Sequence, residues 1–387
     1  KDSNNTWLTY TQSTEFSGND SLFVANIMPM YFKAVEEGIT TNNWITADTI
    51  VGYIQRFQRK YGVEILPEKN KINLEISYNK MSIFSSLFMY YFIVSFLLLV
   101  VVIISLFNNK KLIISLIKLL KWLIILGFLA HTFGLGIRWY ISGHAPWSNG
   151  YESMIYIAWA TILSGIIYTK KSALTLAATA MVSALLLMVA HLNWLDPEIT
   201  NLVPVLKSYW LMIHVAIITA SYGFLLLGSI LGFISLWLVI FTNSNNKSKL
   251  QNTLSELTII NEKTLEVGLF MLTIGTFLGG VWANESWGRY WGWDPKESWA
   301  LVSILVYAFV LHMRFIPSLT GKLVFNSISM FAIWTIVMTY FGVNYYLSGL
   351  HSYASGDPMP IPTFVYYLLT LMVVTAILAK IKYKKYY

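Results

Sequence analysis

Long stretches of this chain are apolar and carry no charged side chain. The segment 82–107 contains no Asp, Glu, Lys or Arg, and about 20 residues of this kind, folded as a helix, cross the hydrocarbon core of a bilayer. Only 12% of all residues are charged, roughly half the share in an average soluble protein. The sequence therefore predicts an all-α polytopic membrane protein and excludes an ordinary water-soluble domain.

Nine segments are predicted to span the membrane. They cover 82–107, 122–142, 153–169, 173–194, 209–241, 265–284, 299–314, 324–347 and 361–380. The segment 209–241 is longer than one crossing needs, so we expect it to tilt or to extend beyond the hydrocarbon. Residues 243–262 are predicted to form a connection that contains a short interfacial helix.

Basic residues are concentrated in every second connection between the predicted spans. The opposite connections contain only Arg138, Lys207, Arg289 and Lys296. Because basic connections stay in the cytoplasm, we expect a cytoplasmic C-terminus and an extracytoplasmic N-terminal region. The formal charge of +8 is then explained by topology, and we expect no nucleic-acid partner.

Residues 1–80 differ from the rest of the chain, because they mix acidic and basic residues and contain no segment that could span. We predict an extracytoplasmic region here. Residues 71–78 alternate polar and apolar side chains, which predicts a β-strand. The chain begins at Lys1 without an initiator Met or an apolar signal, so we expect residue 1 to be an internal position of a longer protein or a processing product.

The segment 284–299 is unusually rich in tryptophan. Its tryptophans are Trp287, Trp291, Trp293 and Trp299. Interfacial tryptophans commonly anchor helix ends at the membrane surface. In addition, Asp294, Pro295 and Glu297 have the spacing of an N-cap, a first-turn proline and a capping-box glutamate. Both interpretations are structural, and neither accounts for the tryptophans before Asp294.

A binding interpretation accounts for those tryptophans. Trp287 and Trp291 are spaced by one helical turn, and Gly288 and Gly292 beside them would allow close approach of the backbone. We therefore predict a flat aromatic surface that suits a large planar ligand. The chain has no cysteine, so it has no thiolate nucleophile and no cysteine-ligated metal.

Six histidines lie in or near the predicted spans, where ionisable side chains are functional candidates. His214 and His351 are both predicted near the outer face, close to the tryptophan-rich segment. His312 follows Trp299 by a helical rise of roughly 20 Å, which places it toward the cytoplasmic half. Imidazole is a haem-iron ligand, so His214 and His351 are candidates for one haem site. We interpret His131, His144 and His191 as hydrogen-bonded packing residues.

The run from Trp287 to Glu297 resembles the tryptophan-rich WWD signature of the haem-handling proteins CcsA (ResC), CcmC and CcmF. The resemblance to CcsA extends from about Lys121 to the C-terminus, through 138–153, 203–215 and 351–354. The preceding region and span resemble the end of CcsB (ResB). The whole is similar to the C-terminal half of a fused CcsBA, the system II cytochrome c synthase, with residues 1–80 and 81–110 CcsB-like and residues 111–387 CcsA-like.

The resemblance implies a protein of the bacterial inner membrane that moves haem b outward and presents it to an apocytochrome c. His214 and His351 would be the outer iron ligands and His312 an inner one. The haem-presenting residues would be Trp287, Trp291, Trp293 and Asp294, with Gly288 and Trp299 also contacting haem. The implied activity is that of a holocytochrome c synthase, and the implied partners include a CcsB-like part and thiol reductants for the apocytochrome.

Two other functions are compatible with a histidine-bearing helical membrane protein. A b-type cytochrome would pass electrons between haems, and it would need histidine pairs at matched depth on facing spans. A haem exporter would hand haem to a chaperone without forming covalent bonds. The CcsB-like leader favours the synthase over the exporter, and the position of His312 away from the outer pair argues against the electron-transfer protein.

Overall fold

The computed structural model describes residues 9–16, 20–63, 66–105, 110–168, 170, 172–191, 196–199, 208–244, 246–350 and 361–386. The main helices are α1 (Ser21–Thr41), α2 (Ile45–Tyr61), α3 (Lys69–Met81), α4 (Ile83–Ser105), α5 (Lys111–Ser142), α6 (Gly150–Tyr168), α7 (Ala173–His191), α8 (Tyr209–Ile240), α9 (Lys247–Trp287), α10 (Pro295–His312), α11 (Lys322–Val337), α12 (Val343–Tyr346) and α13 (Thr363–Tyr386). A π-helical turn, Met338–Gly342, joins α11 to α12. The described residues are thus almost entirely helical.

The chain divides into two compact units between Ile76 and Ser77. In the first unit, α1 and α2 pack through a small core that includes Ala34, Ala47 and Ile50. The predicted divisions at 81–110 and 111–387 fall inside the second unit and stay predictions.

An acidic residue helps to join α1 and α2 at their far ends. The Asp20 carboxylate, just before α1, accepts hydrogen bonds from Tyr61 and Lys60 at the end of α2. These bonds hold the pKa of Asp20 below its ordinary value, since both donors stabilise the ionised form.

The strand predicted over residues 71–78 is wrong, because these residues lie in helix α3. A strand needs a partner to satisfy its backbone hydrogen bonds, and the described part of the chain contains no strand. A helix satisfies those bonds within itself. Helix α3 also leads directly into α4, with Ser82 at a positive φ of 44° between them.

The described residues contain nine helices that are long and apolar enough to cross a membrane, which confirms the predicted number. The predicted long span is helix α8, at 32 residues. The separate interfacial helix expected within 243–262 is wrong. From Lys247 onward these residues belong to α9, a single helix of 41 residues that ends at Trp287.

The core of the second unit lies where α8, α9, α10 and α11 meet. Tyr222, Leu225, Leu265, Leu272 and Tyr307 are among its buried side chains. Helices α6, α7 and α8 are the most enclosed spans, whereas α5 and α13 are the least enclosed. The site-bearing helices α8, α9 and α10 therefore form part of a packed bundle.

Helices α6 and α8 approach each other closely at one glycine. A Cβ atom on Gly223 would lie 2.8 Å from the backbone nitrogen of Thr161, so a larger residue would push the helices apart. In membranes, where no hydrophobic force drives helices together, such close contacts supply much of the association energy.

A buried ion pair links the end of α5 to the start of α6. Arg138 Nε donates to Glu152 Oε1 at 2.8 Å, and both side chains are almost fully buried. The guanidinium also donates to the carbonyl oxygens of Pro197 and Glu198. Because each charge is paired and hydrogen-bonded, this cluster meets the condition for burying charge, and we interpret it as a structural clamp.

Candidate functional site

The tryptophan-rich loop begins where helix α9 ends. Trp287 is the last helical residue, and Gly288 follows with a φ of 70° while its N–H donates to the carbonyl of Asn284 at 2.9 Å. Glycine adopts this left-handed helix cap at no steric cost. The predicted helical turn between Trp287 and Trp291 is therefore wrong, because Trp291 lies in the loop beyond the cap. Gly288 serves the cap, and no atom lies within 4 Å of the place that a Cβ atom on it would occupy.

Glu297 fixes the second half of this loop. Its Oε2 accepts hydrogen bonds from the backbone N–H of Gly292 at 2.8 Å and of Asp294 at 3.2 Å. Trp293, between these two amides, has a φ of 57°, a conformation that costs a non-glycine residue about 1–2 kcal/mol. Its side chain remains 71% exposed. The loop thus stores backbone strain at a tryptophan that it presents outward, which is a feature of functional sites.

Asp294 is buried and connects two parts of the chain. Its Oδ1 accepts from the backbone N–H of Lys296 at 3.0 Å, and its Oδ2 accepts from the backbone N–H of Leu350 at 2.6 Å. The predicted N-cap, first-turn proline and capping box with Glu297 are confirmed. The contact with Leu350 adds a second task, since it ties the start of α10 to the segment before His351. His351 itself lies outside the described residues.

Two further contacts tighten the connection between the loop and residues 344–350. Lys296 Nζ donates to Asn344 Oδ1 at 3.0 Å. A Cβ atom on Gly349 would lie 2.4 Å from Asp294 Oδ2, so only glycine fits beside that carboxylate without displacement. Residues 344–350 are therefore packed directly against the start of α10.

His214 lies on α8 and is 7% exposed. Its Nδ1 donates to the carbonyl of Trp210, four residues earlier, at 2.8 Å. Since a carbonyl only accepts, Nδ1 carries a proton. In metal-binding proteins, a histidine ligand is commonly oriented by such a hydrogen bond, which the ring nitrogen not bound to the metal donates to a backbone carbonyl or a carboxylate. Gly279 on α9 leaves room for the ring, because a Cβ atom there would lie 3.3 Å from His214 Cδ2.

An aromatic cluster joins His214 to the tryptophan-rich loop. The His214 ring stacks on Trp282, with centroids 5.4 Å apart and planes at 28°. Trp282 in turn meets Trp287 edge to face at 4.7 Å. The structure thus brings His214 and the start of the loop into one continuous set of rings.

The predicted flat surface is not present in the loop as described. The rings of Trp291 and Trp293 are 5.9 Å apart and almost perpendicular, at 89°. The left-handed backbone at Trp293 is the physical reason, because it turns that side chain away from the direction an extended loop would give it. Trp299 is half-buried in α10, where its carbonyl accepts from Thr339 Oγ1 at 3.1 Å.

His312 ends α10, and the loop precedes that helix. The 18-residue length of α10 separates its two ends by about 25 Å at 1.5 Å per residue. His312 is exposed, and its Nδ1 donates to the carbonyl of Ala308 at 2.7 Å. Its ring lies 5.9 Å from that of Phe315. His312 therefore belongs to a different region of the molecule from His214.

The other three histidines make hydrogen bonds within the second unit. His131 is fully buried and bonds the carbonyl of Ile155, His144 bonds Ser148, and His191 bonds Ser85. These contacts agree with the packing role expected for them.

Several contributors to the site were not found from the sequence. Trp282, which stacks on His214, lies inside a predicted span, and its only signal was a tryptophan close to the loop. Arg289 lies 3.7 Å from Glu297 and 5.9 Å above the Trp287 ring, and it carried no separate signal. The partners Asn344 and Leu350 depend on tertiary contacts, which no local pattern in the sequence reveals.

The fold and this loop define a class: a helical, multi-span membrane protein with a tryptophan-rich loop between two spans and histidines at both ends of the bundle. The sequence model of the family described as cytochrome C assembly protein matches residues 147–351, which is more than half of the chain. The chain belongs to the cytochrome C assembly protein family. The resemblance noted from the motif is thereby confirmed.

Individual relatives agree with this assignment. The chain is 45% identical to the protein NrfI of Wolinella succinogenes over 310 residues, covering 79% of this chain and 34% of NrfI. It is 37% identical to the cytochrome c biogenesis protein CcsA of Guillardia theta over 255 residues, covering 59% of this chain and 83% of CcsA. The chain thus spans about a third of NrfI and most of CcsA.

A solved structure shares the fold. The cytochrome c haem lyase CcmF superposes with a TM-score of 0.51 and 13% sequence identity, over 79% of this chain and 51% of CcmF. At this identity the likeness concerns the arrangement of helices alone.

Proposed function

We propose that this protein acts in cytochrome c biogenesis as a holocytochrome c synthase. It would receive haem b, move it across the bacterial inner membrane, and present it outside for attachment to the Cys-x-x-Cys-His motif of an apocytochrome c. One observation carries the proposal: the buried, oriented imidazole of His214 is joined through Trp282 to the tryptophan-rich loop. Membership in the cytochrome C assembly family supports it.

The residues present suit a haem substrate. His214 supplies a buried imidazole that is oriented by the bond from Nδ1 to the Trp210 carbonyl, and imidazole is a haem-iron ligand. Trp291 and the exposed Trp293 supply aromatic surface in the loop that follows Trp287, and Asp294 anchors the loop. In this proposal His351 is the second outer ligand, because it follows the segment that Asp294 holds. Gly288 and Trp299 shape the edges of the same site.

The reaction requires positioning more than a protein nucleophile. Each substrate thiol adds across a haem vinyl group, so that a carbon–sulfur bond forms, the vinyl double bond is consumed and the thiol proton ends on carbon. The addition is balanced without an external oxidant, provided that thiol reductants keep the substrate cysteines reduced. The chain has no cysteine of its own, which agrees with catalysis by holding the two reactants in register.

His312 is assigned to an inner site in this proposal. It lies at the opposite end of α10 from the loop, toward the connections rich in lysine, which we place in the cytoplasm together with the C-terminus. The N-terminal region and the loop would face outward. A second inner ligand would come from a CcsB-like part, supplied by a longer form of this chain or by a separate subunit.

The test is reconstitution of the full chain with haem, a reductant and an apocytochrome c, with covalent haem detected on a denaturing gel. We expect Trp291→Ala combined with Trp293→Ala to lower covalent attachment by at least about thirtyfold, since each aromatic ring contributes on the order of 1 kcal/mol, and we expect Trp→Phe changes to give an intermediate loss. The control is Trp122→Ala on α5, which removes a similarly exposed tryptophan (69%). Full attachment by the double variant would refute the loop as the haem-presenting surface.

A further inference from the structure

A pocket lies at the end of the bundle that carries His312. Its volume is about 220 Å³, and it is formed by α9, the end of α10, the turns that follow α10, and the start of α11. Its lining includes the apolar side chains of Val310, Leu311, Met313, Leu319 and Phe325. It also includes the basic side chains of Arg314 and Lys322. The pocket thus suits a group that has both apolar surface and an anionic end.

The two basic side chains are held in place by one face of α9. Arg314 forms an ion pair with Glu262, and Lys322 Nζ donates to Ser255 Oγ at 2.5 Å. Thr258 lies between these two α9 residues and accepts from Asn326 Nδ2 at 2.8 Å. Positions 255, 258 and 262 follow the spacing of one helical face. The α9 face therefore fixes both cations at the pocket, while the single carboxylate leaves a net positive charge.

The backbone adds to this charge. Gly321 and Lys322 line the pocket and form the start of α11, a helix of 16 residues whose N-cap makes no side-chain hydrogen bond. The first N–H groups of a helix lack helical partners and carry the positive end of its dipole. The pocket therefore combines two basic side chains with backbone donors, which together suit carboxylate or phosphate oxygens.

An aromatic ring connects this pocket to His312. The Phe315 ring lies 5.9 Å from the His312 ring and 5.3 Å from the guanidinium carbon of Arg314. His312 and Arg314 thus both lie close to the same phenylalanine ring. The pocket is also smaller than the roughly 300–1,000 Å³ of sites that enclose a whole drug-sized ligand, so it fits the end of a larger molecule that extends beyond it.

We propose that Arg314, Lys322 and the start of α11 bind a carboxylate of haem as haem reaches His312. This inference rests on the proposed function. It adds a subsite for the carboxylates of the haem propionate groups, while His312 is the proposed ligand of the iron. The same anionic chemistry would suit a lipid phosphate, and the experiment below separates the two.

The experiment measures porphyrin binding to the full chain in nanodiscs of phosphatidylcholine, which is uncharged overall. The probe is metal-free protoporphyrin IX, followed by fluorescence, because it keeps both carboxylates and needs no histidine ligand. Arg314→Gln combined with Lys322→Gln should weaken binding by at least tenfold, the equivalent of about 1.4 kcal/mol, because both basic side chains of the pocket are removed. The dimethyl ester of the porphyrin should bind weakly to wild type and be unaffected by the double change.

The matched control is Lys118→Gln combined with Lys170→Gln, which removes the same charge from exposed positions outside the pocket. It should bind protoporphyrin IX as wild type does. Equal porphyrin affinity for wild type and the Arg314/Lys322 variant would overturn the proposal. So would loss of co-purifying phosphatidylglycerol from that variant with porphyrin affinity unchanged, which would assign the pocket to lipid phosphate.

Failure of the proposed function gives a different pattern. His312→Ala should change the absorption spectrum of bound haem without changing the affinity for metal-free protoporphyrin IX. Suppose that haem gives no histidine-ligated spectrum in any variant, while porphyrin binding still depends on Arg314 and Lys322. The carboxylate subsite would then be supported, and the proposed role of His312 would be refuted.

Discussion

Two histidines in different regions of the bundle, His214 and His312, each donate from Nδ1 to the carbonyl four residues earlier, at 2.8 and 2.7 Å. Their surroundings are opposite. His214 is buried, stacked on Trp282 and given space by Gly279. His312 is exposed at a helix end, with Phe315 beside it. The backbone bond orients both rings in the same way, so the difference between the two regions lies in what encloses them.

This difference has a consequence for binding. A ligand at His214 meets a ring whose rotation is already restricted by packing, so little ordering cost remains to be met on binding. A ligand at His312 meets an exposed ring, so in the proposal above most of the affinity there comes from Arg314 and Lys322. In the proposed function the first arrangement suits retention of haem for the reaction, and the second suits its uptake and release.

The largest expected effect is at the enclosed histidine. His214→Ala should reduce covalent haem attachment to background, because it removes the proposed iron ligand itself, whereas loss of a supporting contact alone costs about 10–100-fold in metal binding. Added imidazole should restore part of the activity by entering the space between Trp282 and Gly279. The measurement is covalent haem on a denaturing gel, with the absorption spectrum of the reduced protein.

The control for this change is His191→Ala, which removes an exposed histidine hydrogen-bonded to Ser85. It should leave attachment unchanged. Wild-type spectra and attachment in His214→Ala would show that His214 is a packing residue. The burial of His214 and the exposure of His312 would then say nothing about haem binding.

A smaller effect is expected at the exposed histidine. In the proposed function, His312→Ala should lower the delivery of haem from the cytoplasmic side by about tenfold, the equivalent of about 1.4 kcal/mol, since the proposed inner ligand is lost while Arg314 and Lys322 remain. Haem supplied from outside should still be attached at the wild-type rate, because His214 and the loop are unchanged. Proteoliposomes loaded with haem on one side or the other measure the two routes separately.

The external route serves as the control within the same protein preparation. Normal delivery from the cytoplasmic side would remove His312 from the inner site. Loss of both routes would mean that the substitution disturbs the bundle as a whole, and a lower unfolding temperature of the purified variant would then accompany it.

Local features of this molecule were predictable from the sequence, because their causes are local. The nine apolar helices follow from hydropathy, and the capping box of Asp294 and Glu297 follows from spacing. The strand predicted over 71–78 failed because alternation alone does not supply a partner strand. The helical relation of Trp287 and Trp291 failed because Gly288 ends the helix between them.

The contacts that build the candidate site were not predictable in the same way. His214 meets Trp282 only because α8 packs beside α9, and Asp294 meets Leu350 only because the chain returns to the start of α10 after α12. Sequence spacing gives the position of each residue along its own helix. It does not give the neighbour across the bundle, which depends on how all the helices pack together.

The smallest expected effect separates the two tasks of Asp294. Asp294→Ala removes the cap of α10 and the bond from Leu350, and we expect attachment to fall by about fivefold, the equivalent of about 1 kcal/mol for one net hydrogen bond. Attachment by Asp294→Asn should fall less, since asparagine also caps helices.

Gly349→Ala is the matched test of the bond to Leu350. Its methyl group would lie 2.4 Å from Asp294 Oδ2 and would displace that oxygen, while the capping residue itself stays in place. If the bond to Leu350 matters for the site, Gly349→Ala should lower attachment about as much as Asp294→Ala while the unfolding temperature stays closer to wild type. Wild-type attachment in Gly349→Ala, with low attachment in Asp294→Ala, would instead show that Asp294 acts only through the start of α10.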